Sequence, residues 1–173
     1  MTLQEIRSLI RDVPDFPKPG IMFKDITPLL QHPAGFRETV ERLAEGAEGM
    51  HAQHILAIES RGFIFGAALA QRVGLPLHLV RKRGKLPCES VSVAYELEYG
   101  VDHLEVHADS LRAAERYLIV DDLIATGGTA AATGQLVQQQ GGIVAGFAFV
   151  IELSFLAGRK ALGDAPVAAL IEF

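Results

Sequence analysis

Several features are scarce in this sequence of 173 residues, and each scarcity excludes a class of protein. The single cysteine, Cys88, excludes a disulfide within the chain and fits a reducing compartment such as the cytoplasm. No apolar run approaches the length of a membrane span, and the first residues lack the apolar region of a signal peptide. A net charge of −5 gives no support to nucleic-acid or membrane binding.

The sequence does have an apolar content of 49%, with no repeat, low-complexity tract or linker. One domain of this size buries a good core, so we expect a single domain over residues 1–173. Strands alternating with helices predict an α/β fold with a mainly parallel central sheet flanked by helices, which binds ligands at the carboxyl ends of its strands. The predicted strands are 54–58, 75–80, 117–120, 143–151 and 167–171, and the predicted helices are 2–12, 34–48, 63–73 and 130–140.

The most informative stretch is YLIVDDLIATGGTA, residues 117–130. An apolar strand is followed by Asp121 and Asp122, then by a turn with two glycines and two threonines, and then by a helix. Glycines permit unusual turn conformations and the first amides of a helix favour an anion, so the turn is predicted to bind phosphate. An acidic pair beside a phosphate site suits a ligand with hydroxyl groups or a divalent cation, such as a sugar phosphate. On its own, an acidic pair would be interpreted as the end of a strand, and a pair of glycines would be interpreted as a turn.

This stretch resembles the phosphoribosyl pyrophosphate (PRPP) signature of the type I phosphoribosyltransferases, and DDLIATGGTA is similar to the version in the adenine-specific members. The resemblance implies that Asp121 and Asp122 bind the ribose. It also implies a 5′-phosphate turn made of Ala125, Thr126, Gly127, Gly128 and Thr129. Members acting on hypoxanthine or guanine carry an aspartate at the position of Ala125, so this residue favours adenine as the base.

The segment FPKPGIMFKDITPLL, residues 16–30, is predicted to be a rigid apolar connector without regular structure, because Pro14, Pro17, Pro19 and Gly20 interrupt it or flank it. On the residues alone, we expect Ile21, Met22 and Phe23 to plug the core. The segment also resembles the family's adenine-binding hood, which here spans residues 1–33. By this resemblance the base is read by the backbone of Met22, stacked on by Phe23 and accompanied by the basic position of Lys24.

Charged residues follow two further predicted strands. A turn containing Glu59, Ser60 and Arg61 follows residues 54–58, and the basic segment RKRGK, residues 81–85, follows residues 75–80. Without a relative, Arg61 could be a surface ion-pairing residue, and the basic segment could be a solvated run or a polyanion site. The resemblance implies a pyrophosphate site, often with a cis peptide bond in the first turn, formed by Glu59, Ser60, Arg61, Arg81, Lys82 and Lys85.

Alternating residues from 86 to 106 predict an antiparallel ribbon that turns at Gly100 and Asp102. The ribbon resembles the family's flexible flap, here residues 82–106. Its LEYG segment matches the adenine-specific members and implies catalytic roles for Glu98 and Tyr99. Because Ala125 cannot transfer a proton, Glu98 is the motif-placed carboxylate left for acid–base work, although it could also be a solvated strand residue. Cys88 is expected to be an exposed bystander.

The resemblance therefore implies a purine salvage enzyme that transfers the phosphoribosyl group of PRPP to adenine, giving AMP and pyrophosphate. Mg²⁺ would arrive with PRPP rather than on direct protein ligands. The expected protein is a cytoplasmic homodimer without nucleic-acid or membrane partners. Two alternatives share the fold: a PRPP-sensing purine regulator and a phosphoribosyltransferase for another base. Such regulators usually carry an additional DNA-binding domain, for which this chain has no room, and the hood and LEYG segments argue against another base.

Overall fold

The computed structural model describes residues 1–97 and 100–173, and two groups of strands form its sheets. In chain order the strands are β1 (Arg11–Pro14), β2 (Met22–Asp25), β3 (His54–Ile58), β4 (Leu77–Lys82), β5 (Ser90–Leu97), β6 (Gly100–His107), β7 (Arg116–Ile124), β8 (Ile143–Glu152) and β9 (Val167–Glu172). β1 and β2 form an antiparallel pair, and the main sheet has the order β5-β6-β4-β3-β7-β8-β9.

The helices are α1 (Leu3–Ser8), α2 (Thr27–Leu30), α3 (Pro33–Ala47), α4 (Gly62–Val73) and α5 (Gly128–Gln139). Strands β4, β3, β7, β8 and β9 are parallel, whereas β6 and β5 add an antiparallel ribbon at one edge. This arrangement confirms the predicted α/β fold with a mainly parallel central sheet. No helix in residues 1–97 or 100–173 is long and apolar enough to cross a membrane.

Strand β7 lies at the centre of the five parallel strands and is covered on both faces. Its side chains alternate between two buried clusters: Tyr117 and Ile119 pack with α5, while Leu118 and Val120 pack with α3 and α4. A strand covered on both faces gains free energy from every apolar side chain, which is why it appears in the sequence as a continuous apolar run.

The predicted end of this strand at Val120 is wrong. β7 continues to Ile124, and Asp121 and Asp122 lie within it, because β8 extends alongside and pairs Asp121 with Phe149 and Ile124 with Glu152. The acidic pair is therefore fixed by sheet hydrogen bonds instead of lying in a loop.

The N-terminal segment is also more regular than predicted. α1 begins at the Thr2–Glu5 capping box but ends at Ser8, and β1 follows. The expectation of no regular structure in residues 16–30 is wrong, since β2 and α2 form there. Pro14 is compatible with β1 because it ends a two-stranded ribbon, where a missing N–H group is tolerated.

The predicted antiparallel ribbon is formed by β5 and β6. Gly100 is the first residue of β6 and pairs with Leu97, the last residue of β5, so it borders the connection between the two strands. The expected turn at Asp102 is wrong, because Asp102 lies within β6 and pairs with Tyr95. At its base, β6 pairs with Arg81 and Lys82 of β4, so the ribbon extends the main sheet.

Candidate active site

Charged residues of the candidate site lie at the carboxyl ends of three adjacent strands, β4, β3 and β7. Because these strands are parallel, Arg81 near the end of β4, Glu59 after β3 and Asp121 near the end of β7 emerge at one edge of the sheet. This is the edge at which the α/β topology forms a ligand site.

The acidic pair is held in a confined position. Asp122 is only 4% exposed, and its Oδ2 atom lies 3.0 Å from Nη2 of Arg61. Asp121 lies against Gly62, where an added Cβ would come within 2.7 Å of its Oδ1 atom. The same Oδ1 accepts a hydrogen bond from the Asp122 amide at 2.8 Å.

This confinement changes the protonation of the pair. Burial, with the charge of Asp122 adding to it, raises the pKa of Asp121 well above its ordinary value. Burial also raises the pKa of Asp122, although the Arg61 guanidinium opposes that shift. The pair therefore binds a proton more readily than two exposed aspartates would, and it offers close-set acceptors to a ligand with hydroxyl donors.

Arg61 connects three parts of the site. Besides pairing with Asp122, it donates from Nη1 to the carbonyl oxygen of Lys24 at 3.1 Å, and its guanidinium lies 4.9 Å from the centre of the Phe23 ring. The peptide bond between Glu59 and Ser60, immediately before it, is cis. The side chain of Arg61 thus links the turn after β3 to both the acidic pair and β2.

Glu59 is surrounded by cations. Its Oε1 atom lies 2.5 Å from Nζ of Lys85, and its Oε2 atom lies 3.3 Å from Nε of Arg81 and accepts the Lys82 amide at 3.0 Å. Burial acts to raise the pKa of Glu59, but the hydrogen bonds from Lys85, the Lys82 amide and Arg81 outweigh it, so the pKa is lowered. Arg81 and Lys85 are therefore held as an organised cationic pair and not as a solvated run.

The Lys82 side chain lies elsewhere. Its ammonium group is 3.1 Å from Oδ2 of Asp102 in β6, and this contact raises the pKa of Lys82. Tyr95 of β5 donates to the same Asp102 oxygen at 3.3 Å. Burial raises the pKa of the Tyr95 hydroxyl, and a hydrogen bond with the Thr129 side chain opposes that shift. Sequence reasoning assigned Asp102 to the turn of the ribbon and did not single out Tyr95, although a tyrosine in an alternating polar ribbon was an available signal.

The turn between β7 and α5 has the geometry that suits an anion. Gly127 immediately precedes α5 in the left-handed conformation, with φ +83°, so the chain reverses onto the start of the helix. The first amides of α5 have no partner within the helix and face the turn. Thr126 is exposed and Thr129 is half-buried beside Tyr95, so both hydroxyl groups belong to the rim of this turn.

The N-terminal pair β1–β2 presents an apolar surface beside Arg61. Met22 is 49% exposed, Ile21 is 40% exposed, and the Phe23 ring meets the Phe16 ring edge-on at 5.0 Å. The expectation that these side chains plug the core is wrong for Ile21 and Met22, because β2 is held by β1 and by a different side chain, Lys24.

Lys24 turns its ammonium group away from this surface. The group lies 2.5 Å from Oδ1 of Asp12 and 3.6 Å from the centre of the Phe173 ring, and the side chain is buried. Its backbone carbonyl faces Arg61. Glu98 and Tyr99 lie outside the described residues. Among the described residues, no group of three or more His, Cys, Asp or Glu side chains is arranged to hold a metal ion.

Comparison with known proteins gives consistent results. The profile of the family described as "Phosphoribosyl transferase domain" matches residues 26–162. An adenine phosphoribosyltransferase of Synechococcus sp. is 63% identical over 159 residues, covering 91% of each chain.

Two solved structures are also similar to this chain. The adenine phosphoribosyltransferase of Thermoanaerobacter pseudethanolicus has a TM-score of 0.97 at 52% identity, covering 99% of this chain and 100% of that one. The Saccharomyces cerevisiae enzyme, crystallised with adenine and an imino-altritol bisphosphate, has a TM-score of 0.90 at 41% identity, covering 97% of both chains.

Proposed function

The chain belongs to the adenine phosphoribosyltransferase family and forms AMP in purine salvage, and we propose that it does so by transferring the phosphoribosyl group of PRPP to adenine with release of pyrophosphate. The observation that carries this proposal is the convergence of the acidic pair, the glycine turn and the cations around Glu59 at one edge of the sheet. The yeast relative's ligands, a base and a bisphosphate, match the two halves of such a site.

The phosphoribosyl end of PRPP would bind between β7 and α5. Its 5′-phosphate would accept hydrogen bonds from the helix amides and the threonine hydroxyls of the turn. The acidic pair would accept hydrogen bonds from the ribose hydroxyl groups and favour the positive charge that develops on the ring. The residues assigned to the phosphate are Ala125, Thr126, Gly127, Gly128 and Thr129, and those assigned to the ribose are Asp121 and Asp122.

The leaving pyrophosphate would meet the cations that Glu59 now holds. Arg81 and Lys85 both form ion pairs with the Glu59 carboxylate. The pyrophosphate would replace this carboxylate as the partner of the two cations. The residues proposed for this site are Glu59, Ser60, Arg61, Arg81, Lys82 and Lys85. Mg²⁺ would arrive with PRPP at a site whose carboxylates lie beside the proposed phosphate-binding residues, and it would stabilise charge on the leaving group.

Adenine would lie against the apolar surface of the hood, residues 1–33. Phe23 would stack on the ring, and the backbone of Met22 and Lys24 would read its edge, with Arg61 fixing that backbone through the Lys24 carbonyl. A site built on hydrogen bonds discriminates against bases that leave them unpaired. Comparable kcat/KM values for hypoxanthine or guanine would contradict this assignment.

Acid–base work on the purine is assigned to Glu98, with Tyr99 next to it in the sequence, in the predicted flap of residues 82–106; this assignment rests on the family resemblance of LEYG. We expect Glu98→Gln to lower turnover by roughly 10²–10⁴-fold, the usual range for a lost acid–base group, while PRPP binding is retained. Normal turnover of this variant would make Glu98 a surface residue.

A homodimer is also proposed. Ile64 on α4 and Leu77 and Leu79 on β4 are large apolar side chains that are each between 37 and 39% exposed. A second copy of the chain is the partner we propose to cover them, since exposed apolar side chains are candidates for an interaction site. Sedimentation equilibrium should give twice the chain mass, and Leu79→Lys should shift the protein towards the monomer. The single cysteine and the acidic charge support a cytoplasmic location without nucleic-acid or membrane partners.

The deciding experiment is to incubate the protein with PRPP, Mg²⁺ and each purine base and to measure nucleotide formation. AMP formation with adenine as the strongly preferred base supports the proposal. PRPP binding without AMP formation would favour the sensing regulator, and preference for another base would favour the second alternative.

A further inference from the structure

The segment after β8, residues 153–162, is in direct backbone contact with the 5′-phosphate turn. A Cβ atom at Gly127 would overlap the carbonyl oxygen of Gly158, and a Cβ atom at Gly158 would overlap the carbonyl oxygen of Ala125. Ala161 also borders this contact, since its Cβ lies 3.0 Å from the position that a Cβ at Gly127 would occupy. The two backbones thus touch with no room for a side chain between them.

The two glycines are required for different reasons. Gly127 needs its left-handed conformation, whereas Gly158 lies outside that region and needs only the absence of a side chain. Gly158 is also buried. The missing side chain of Gly158 therefore allows the backbone of residues 153–162 to contact the turn directly.

Arg159 fixes this segment to the sheet. Its guanidinium forms a bidentate ion pair with Glu152, with Nε at 2.8 Å from Oε1 and Nη2 at 2.5 Å from Oε2, and it donates to the Val167 carbonyl at 3.3 Å. Glu152 is 7% exposed and is paired in the sheet with Ile124, the residue that immediately precedes the turn. The Leu153 amide donates to the Ile124 carbonyl at 3.0 Å, so the two segments leave the sheet together.

We propose that Gly158 and Arg159 are positioning residues for PRPP: they brace the 5′-phosphate turn from behind and so set where the phosphoribosyl group lies. The inference rests on the proposed function of the turn. A turn of small residues has few side-chain contacts of its own, and its amides must point at one place before the ligand arrives. A misplacement of about 1 Å can cost roughly 10²-fold in rate, because binding energy at the phosphate aligns the reacting carbon.

Gly158→Ala is the direct test, because its methyl group must push the Ala125 carbonyl and the turn apart. We expect the dissociation constant for ribose 5-phosphate, measured by calorimetry, to rise about 10-fold or more, while that for magnesium pyrophosphate stays within about 2-fold. Gly49→Ala is the matched control, since a Cβ at Gly49 meets nothing within 4 Å and its φ is not positive. Gly49→Ala should change neither constant.

The Arg159 variants decide the matter if Gly158→Ala does not fold. Arg159→Gln should weaken ribose 5-phosphate binding selectively, and Arg159→Lys, which keeps the charge, should restore part of it. Arg72→Gln is the control for the loss of a bidentate ion pair away from the turn, because Arg72 pairs with the exposed Glu41 across α3 and α4. It should leave the affinity for ribose 5-phosphate unchanged. A merely stabilising role of Arg159 would lower the free energy of unfolding of Arg159→Gln and leave its affinity for ribose 5-phosphate unchanged.

Each outcome bears on the proposal. Equal losses of both ligands, or no loss of ribose 5-phosphate affinity in either Gly158→Ala or Arg159→Gln, would overturn the brace. Failure of the proposed function would appear differently, as an absence of AMP formation by the unaltered protein. Binding of ribose 5-phosphate is measured without turnover, so the two failures are distinguishable.

Discussion

Two adjacent strand ends hold carboxyl groups in opposite electrostatic surroundings. After β3, Glu59 faces Arg81, Lys85 and the Lys82 amide, and its pKa lies below the ordinary value. At the end of β7, Asp121 and Asp122 face each other and share one guanidinium, Arg61. Burial acts to raise the pKa at both places, and the hydrogen bonds and cations that face each carboxylate decide the direction of the net shift.

This difference separates two tasks that the same kind of side chain performs. Glu59 stays ionised and holds cations together until an anion replaces it. The acidic pair binds a proton more readily than exposed aspartates do, and its close-set oxygens can accept hydrogen bonds from ribose hydroxyl groups. The carboxylates at both places lie near the end of a strand, and the charged groups around each carboxylate determine its role.

The largest expected effect is on turnover. Asp121→Asn and Asp122→Asn should each remove about 3–4 kcal/mol of transition-state stabilisation, because a carboxylate near the ribose ring stabilises positive charge and an amide does not. Initial rates of AMP formation give the loss, and circular dichroism verifies the fold. Near-normal turnover of either variant would return that residue to a purely structural role.

The second prediction concerns stability, which should change in opposite directions at the two strand ends. Glu59→Gln should lower the free energy of unfolding at pH 8 by about 1.5–3 kcal/mol, the value of hydrogen bonds to charged groups. Asp121→Asn should raise it, because the amide has no charge to bury. Urea unfolding measures both values, and changes of the same sign would contradict the comparison.

The pH dependence follows from the same shifts. The raised pKa of Asp121 means that its contribution to stability is present below the ordinary aspartate pKa and is lost as pH rises through the folded-state pKa. The lowered pKa of Glu59 contributes stability above the ordinary glutamate pKa, and this is lost as pH falls through the folded-state value. Asp121→Asn should therefore stabilise the protein at pH 8 more than at pH 4.

The smallest expected effect is a displacement of the acid limb of kcat/KM for PRPP. Arg61→Gln removes the charge that opposes the raised pKa of Asp122, so this pKa should rise further and the limb should move to higher pH. Arg81→Gln serves as the control: Arg81 faces Glu59, so its loss should lower the rate without moving the limb. Equal displacement in both variants would mean that the limb does not report the acidic pair.

The sequence was sufficient where local residues decide the structure. The predicted strand 54–58 coincides with β3, because five consecutive residues that include Ile55, Leu56 and Ile58 are consistent with few other local structures. The turn 125–129 was predictable because its conformation depends on glycines within it. The end of β7 was not predictable, since β8 alone determines how far its pairing continues.

The electrostatics of the site lay beyond sequence reasoning for the same reason. Lys85 is 26 positions from Glu59, and Arg61 is 37 positions from the carbonyl that it binds. Nothing local indicates that Lys24 turns towards Asp12 and Phe173, or that Gly158 touches Ala125. The sequence shows which residues of a motif are charged. The partner of each charge depends on which strands are neighbours in the sheet and on their register.

The most direct test of the contrast is a pH titration followed by NMR of ¹³C-labelled aspartate and glutamate carboxyl groups in the free protein. We expect one carboxyl resonance to titrate well above the ordinary aspartate range and to be absent from the spectrum of Asp121→Asn. A resonance assigned to Glu59 through Glu59→Gln should titrate below the ordinary glutamate value. Ordinary titration of both groups, or a raised pKa at Glu59, would contradict the account.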